Sequence, residues 1–168
     1  RAGDGETYLR LLGKVRRILP GAAVRSTFIA GFPGETEDDV DELLAFVAEA
    51  GLAVAGVFTF DAQEGTRAAS LPGRVPAALA AERAARLSAV IDEHAAPFWS
   101  ALVGREVDVL VERGTTRPDG EAVARLAVQA PDVDGSTLLT GGLLRRGSLV
   151  RARIVATLGY DVAATTAD

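Results

Sequence analysis

The sequence predicts two sections of different fold class: an α/β segment over residues 1–97 and a small all-β antiparallel barrel over residues 98–168. Three observations carry this. Residues 1–97 alternate helical and strand-like apolar periods joined by short connections, the pattern of a parallel sheet. Residues 98–168 hold only short strand-like runs between Gly and Pro turn signals. The run Pro97-Phe98-Trp99 separates the two patterns.

The elements follow in order. Leu9, Leu12, Val15 and Leu19 recur at helical spacing from Glu6 to Leu19, and Pro20-Gly21 stops that helix. Val24 to Ala30 reads as a buried strand, and Gly31-Phe32-Pro33-Gly34 as a turn. Thr36 then sits where an N-cap belongs, with Asp39 three residues on to complete a capping box. Glu37, Asp38 and Asp39 place negative charge at the positive end of the helix dipole. Val40, Leu43, Leu44 and Val47 form one apolar stripe, and Gly51 suits the left-handed residue after the last turn. Val54 to Phe60 is a second strand, and residues 63–73 are a loop. Pro76 opens a long helix whose apolar face includes Leu79, Leu87, Val90 and Ile91 and which ends by Pro97. Two strands cannot make a stable parallel sheet alone, so this half reads as the tail of a larger α/β domain.

In the second half, Val107, Val109 and Val111 alternate with Asp108, Leu110 and Glu112. Further strands are expected at Ala122–Gln129, Thr137–Thr140, Leu149–Ile154 and Tyr160–Ala163, with a turn at Pro118-Asp119-Gly120. Five strands in so short a stretch suggest a closed, OB-like antiparallel barrel.

Composition narrows the chemistry. The apolar fraction is 48% and the charged fraction 24%, which is globular rather than disordered. There is no cysteine, so disulfides, thiolate nucleophiles and cysteine-held zinc or iron–sulfur sites within this chain are excluded. His94 is the only histidine, so no histidine cluster can hold a metal. The net charge of −5 divides as −4 before residue 98 and −1 after it, and lacks the clustered basic footprint of a nucleic-acid binder. No apolar run is long enough for a membrane span, and no signal peptide follows Arg1. The chain is therefore expected to be cytoplasmic and to begin inside a larger protein.

The candidate site centres on the strand before Gly31. Side chains alternate faces along a strand, so Arg25, Thr27 and Ile29 share one face. On a sheet face lining a lumen, Arg25 can pair with a carboxylate, Thr27 can bond a ribose or amino-acid group, and Ile29 can pack on an adenine. The other reading of Arg25 is a strand-end arginine reaching water. The loop from Gly31 to Thr36 can aim backbone amides and a helix N-terminus at a polar ligand, or it is only a tight strand-to-helix turn. It lacks the Lys-Ser/Thr of a P-loop. His94 reads as an exposed residue near a helix end, and Phe98 and Trp99 as packing at the domain junction. Arg145-Arg146 reads as solvated surface, and the acidic run Glu35–Glu42 as helix capping rather than a metal site. No residue of this chain is assigned a catalytic or metal-binding role.

These motifs together carry a resemblance. The segment from Arg25 to Thr36 resembles the strand and GFPGET turn of radical S-adenosylmethionine (SAM) methylthiotransferases. Val57-Phe58-Thr59-Phe60 followed by Glu64-Gly65-Thr66 is similar to their next strand and loop, and Glu82, Arg83 and Leu87 to their following helix. Residues from about 100 to 168 resemble their appended TRAM barrel, with Ala130-Pro131-Asp132-Val133-Asp134-Gly135 and Gly159-Tyr160-Asp161-Val162 as signatures. Gln63-Glu64-Gly65-Thr66 fits the branch that modifies an aspartate of a small-subunit ribosomal protein. Phe60-Asp61, Ala124 and Ala127 depart from the family's usual Tyr-Ser, glycine and aromatic.

The resemblance implies a partial (β/α) barrel over 1–97 and a TRAM domain over 98–168. It implies SAM as cofactor, with Arg25, Thr27, Ile29, Gly31 and Phe58 as its contacts. It implies two 4Fe-4S clusters held by cysteines outside this chain, so that the chain by itself is inactive. The complete bacterial enzyme would form a 5′-deoxyadenosyl radical from SAM and methylthiolate the aspartate β-carbon. The TRAM barrel would dock the ribosomal protein, and its charge of −1 suits a basic protein better than tRNA phosphates. A tRNA-modifying methylthiotransferase and a non-catalytic OB-like binding module are the alternatives.

Overall fold

The structure is a computed structural model that describes residues 4–167. The chain divides into two compact units, with the boundary between Ala95 and Ala96.

The first unit contains α1 (Gly5–Ile18), β1 (Arg25–Ala30), α2 (Glu37–Ala50), β2 (Val54–Thr59), a 3₁₀ turn at Ala68–Ser70 and most of α3 (Ala77–Ser100). Strands β1 and β2 pair in parallel, from Arg25 opposite Val54 to Ala30 opposite Thr59. The start of α2 is fixed by local chemistry. Thr36 accepts from the Asp39 amide, Asp39 accepts from the Thr36 amide, and both halves of the capping box form. At the other end Gly51 is left-handed, at φ +56°, and Arg16 of α1 donates to the Ala50 and Gly51 carbonyls. That guanidinium satisfies acceptors which the end of α2 leaves open.

Val47 of α2 and Leu87 and Ile91 of α3 form the buried cluster, each at most 2% exposed. Phe28, Ala55 and Val57 pack against them from the sheet, so the helices cover one sheet face. The fully buried Val47, Leu87 and Ile91 each contribute about 1.5–3 kcal/mol by leaving water.

The second unit is a closed barrel of β3 (Glu106–Arg113), β4 (Ala122–Leu126), β5 (Thr137–Thr140), β6 (Leu149–Leu158) and β7 (Asp161–Thr166), in the order β3-β4-β5-β7-β6. The expected all-antiparallel barrel is corrected here, because β5 and β7 pair in parallel. The reason is parity. Around a ring of antiparallel neighbours strand direction reverses at every step, and five reversals cannot return to the starting direction. A five-stranded closed barrel therefore needs a parallel pair. Its interior is filled by Val109, Val111, Ala122, Ala124, Leu126, Leu139, Ala152, Ile154, Val162 and Ala164, small residues alternating with larger ones. Irregular register between Val111 and Arg113 and between Ile154 and Ala156 marks where β3 and β6 bend to close the ring.

Several element boundaries differ from expectation, β7 among them, which runs on to Thr166. Helix α3 runs through Pro97 to Ser100. Its last turn holds because the Ala101 amide bonds the Pro97 carbonyl, Ser100 Oγ bonds the Ala96 carbonyl, and Trp99 is buried. Strand β4 stops at Leu126 because the Gln129 side chain, in place of a partner strand, takes the Leu126 amide at 2.9 Å. Strand β6 extends to Leu158, paired with Asp161 across the Gly159-Tyr160 turn.

Candidate functional site

The first unit carries a sheet with one covered and one uncovered face. Along β1 exposure alternates, with Arg25, Thr27 and Ile29 exposed and Ser26 and Phe28 partly buried. Residues opposite one another in a parallel pair project to the same side. Thr27 lies opposite Gly56, and Ile29 opposite Phe58. Ile29 is 52% and Phe58 61% exposed, a large apolar display for a strand interior. The Phe58 ring lies over Gly56, 3.4 Å from where a Cβ would stand. Four of the five sequence-derived candidates thus share this face: a cation at Arg25, a hydroxyl at Thr27 and two apolar groups at Ile29 and Phe58.

Gly31, the fifth, directly follows β1 and is buried. It has φ +78°, and a Cβ there would come within 2.4 Å of the Ala80 Cβ on α3. Its amide donates to Glu35 Oε1 at 2.9 Å. The Gly34 amide bonds the Gly73 carbonyl at 2.8 Å, and the Glu35 amide bonds the Phe32 carbonyl at 2.9 Å. Phe32 meets Phe60 edge to face at 5.2 Å. The amides of Gly31, Gly34, Glu35 and Thr36 are all occupied within the chain, so the tight-turn reading of this loop is the one its geometry supports.

The anchor of that loop is an arginine with no candidate role in the motif reading. Arg83 of α3 is 5% exposed. Its Nη1 donates to Glu35 Oε1 at 2.9 Å and to the Glu35 carbonyl at 3.1 Å, and its Nη2 donates to Glu37 Oε2 at 3.1 Å. Arg86, one turn on, bonds Glu37 and Asp41. Burial works against the Arg83 charge, but the bonds to Glu35 and Glu37 outweigh it and raise its pKa above the ordinary arginine value. The Arg86 bond, against burial and aided by Arg83, holds the Glu37 carboxyl below its ordinary range. One signal could have exposed this network. Position 83 lies on the helix stripe of Ala80, Leu87 and Ile91, and an arginine on a buried stripe requires acceptors.

The remaining residues singled out from sequence do not join a site. His94, Arg145 and Arg146 are exposed. Trp99 is 2% exposed and packs edge to face on Phe98 and Tyr160, at 5.5 and 5.9 Å. Among the described residues no group of three His, Cys, Asp or Glu could hold a metal ion, and no helix is long and apolar enough to cross a membrane.

Comparison with known proteins bears on both units. The TRAM domain family matches residues 103–166. The ribosomal protein uS12 methylthiotransferase RimO of Salinispora arenicola is 45% identical over 172 residues, which span 98% of this chain and 33% of that protein. Its namesakes in Syntrophobacter fumaroxidans and Nocardioides sp. are 43% and 41% identical, over 92% and 96% of this chain and 35% and 34% of their own lengths. The chain thus spans about a third of the curated relatives it matches. The resemblance read from the motifs is borne out: over nearly its whole length the chain is similar to one segment of the RimO methylthiotransferases.

Proposed function

We propose that this chain does in its own protein what the matched segment does in the uS12 methylthiotransferases. It supplies part of the wall of a SAM-binding lumen and the barrel that docks a ribosomal protein. In this reading the first unit is a piece of a (β/α) barrel. The observation that carries it is the uncovered face of β1 and β2. Helices cover one side of this parallel sheet, and the other presents Arg25, Thr27, Ile29 and Phe58. Parallel sheets are ordinarily covered on both faces, so such a display calls for further structure or a ligand.

The residues present fit SAM. Arg25 would face its carboxylate, Thr27 its ribose or amino-acid groups, and Ile29 and Phe58 its adenine. Gly31 closes the strand, with its amide already engaged by Glu35. SAM, when bound, supplies an adenosyl and a methyl group. The chain's own residues bind and orient it and keep water from its apolar part. The iron–sulfur clusters are a different case, because the sequence has no cysteine to hold one. No step through them is derived from this chain.

For the second unit, three of the four arginines on β3, β4 and β6 pair with carboxylates. Arg125 pairs with Glu112, Arg151 with Asp108 and Arg153 with Glu106. Arginines already held by carboxylates are poor phosphate clamps, and this supports a protein substrate over tRNA. The proposed substrate is the β-carbon of an aspartate in ribosomal protein uS12, modified in the cytoplasm. The test is equilibrium SAM binding and uS12 modification by the complete enzyme. Saturable binding that Arg25→Ala weakens supports the reading, and unchanged SAM affinity in that variant removes Arg25 from the site.

A further inference from the structure

We propose that Arg83 is a positioning residue for the SAM wall, acting through Glu35 on the end of β1. The proposal rests on the SAM-wall reading above and deepens it. A single carboxylate oxygen, Glu35 Oε1, accepts both the Gly31 amide and Arg83 Nη1, each at 2.9 Å. Arg83 Nη1 also takes the Glu35 main-chain carbonyl. One guanidinium on α3 therefore holds the loop by side chain and backbone together, and through Oε1 it fixes Gly31, the residue that follows β1. Ile29 lies two positions before that residue.

The same helix touches the loop at a second point. Ala80, one turn before Arg83, meets Gly31 so closely that no Cβ can fit between them. Packing at Ala80 and hydrogen bonding at Arg83 attach the loop to α3 at two points. Stability alone does not call for this arrangement. Positions 80, 87 and 91 of the same stripe are Ala, Leu and Ile, and an apolar residue at 83 would avoid the desolvation of a charge. A forked donor makes sense where two acceptors, Glu35 and Glu37, must be held in one fixed geometry. Arg86 and Arg83 together pin Glu37, so the first turn of α2 is held to the same helix.

The test uses the complete, cluster-loaded enzyme and SAM itself as the probe. Arg83→Gln and Glu35→Gln are expected to raise the Kd and KM for SAM about tenfold while leaving kcat at saturating SAM within about twofold. Combining them should add little, because they break one unit. Arg83→Lys keeps the charge but not the fork. It should restore most of the Tm and little of the SAM affinity, with faster hydrogen exchange at the Gly31 amide. A wild-type Kd and KM for SAM in Arg83→Gln, with only Tm lowered, overturns the proposal and leaves Arg83 purely structural. If Arg83→Gln does not fold, Glu35→Gln decides by the same criterion. In those cases the SAM wall itself stands, provided Ile29→Ala and Phe58→Ala weaken SAM binding. Wild-type enzyme that binds no SAM, or wall variants that bind it normally, overturns the reading and the proposal together.

Discussion

Ile29 and Phe58 stand opposite one another on the two strands of the first unit, both more than half exposed on the face the helices leave open. Exposed side chains contribute little to folding, so their expected contribution is to binding. Ile29→Ala and Phe58→Ala should each leave Tm nearly unchanged in this chain, and each should weaken SAM binding by the complete enzyme about tenfold. The double variant should lose less than the product of the two, because the side chains adjoin. Calorimetric titration with SAM and thermal melts of both proteins check this.

Gly31 and Gly34 offer a paired test of backbone strain against crowding. Both have positive φ, +78° and +85°, yet a Cβ at Gly34 meets nothing within 4 Å while one at Gly31 would overlap Ala80. Gly34→Ala should cost about 1–2 kcal/mol, the left-handed penalty alone. Gly31→Ala should cost clearly more, since the strand end or α3 must also move. Urea denaturation of the two variants measures the difference.

The pH dependence of the first unit should carry a signature of Glu37. Its carboxyl is held below the ordinary range in the folded chain, first by the Arg86 hydrogen bond. A depressed folded pKa means that the unfolded chain takes up the proton first as pH falls. The stabilisation from Glu37 is complete above the unfolded value, about pH 4.3, and disappears as pH falls through the lower folded value. Glu37→Gln should therefore be less stable than wild type at neutral pH, and the gap should narrow as pH falls from the unfolded value through the lower folded one. Melts from about pH 7 to about pH 3 test the sign.

What was legible in the sequence was what neighbours in the chain decide. Thr36, Asp39 and Gly51 act within a few residues, so the start and stop of α2 could be read directly, and strand alternation put Arg25, Thr27 and Ile29 on one face. What escaped depends on distant partners. The parallel pairing of β5 and β7 follows from closing a ring of five, which no single strand reveals. The bond from Arg83 to Glu35 joins residues 48 positions apart. Pro97 signalled a helix end that the burial of Trp99 overrides. Strand β4 ends before the run its sequence predicts because Gln129, in sequence an ordinary polar strand residue, takes the place of a partner strand with its side chain.

Gln129 supplies the last test. It is 1% exposed, and its Oε1 accepts from the Leu126 amide at 2.9 Å and from Thr137 Oγ1 at 2.7 Å. Its Nε2 donates to the Tyr160 carbonyl at 3.0 Å. One side chain thus ties the end of β4, the start of β5 and the turn between β6 and β7. Gln129→Leu keeps the approximate volume but removes the Gln129 bonds to two buried groups, the Leu126 amide and Thr137 Oγ1, and the part-buried bond to the Tyr160 carbonyl, and it should cost about 3 kcal/mol. Gln129→Glu can still accept from Leu126 and Thr137, but it buries a charge and faces the Tyr160 carbonyl with an oxygen, so it should be no better at neutral pH. Protonation restores a donor, so its deficit should shrink as pH falls below that of a buried carboxyl. Trp99, the only tryptophan, is buried against Tyr160 beside this network, so its fluorescence reports the barrel's unfolding. A Gln129→Leu variant whose Trp99-monitored urea transition matches wild type would show that the Gln129 bonds contribute nothing net to the barrel.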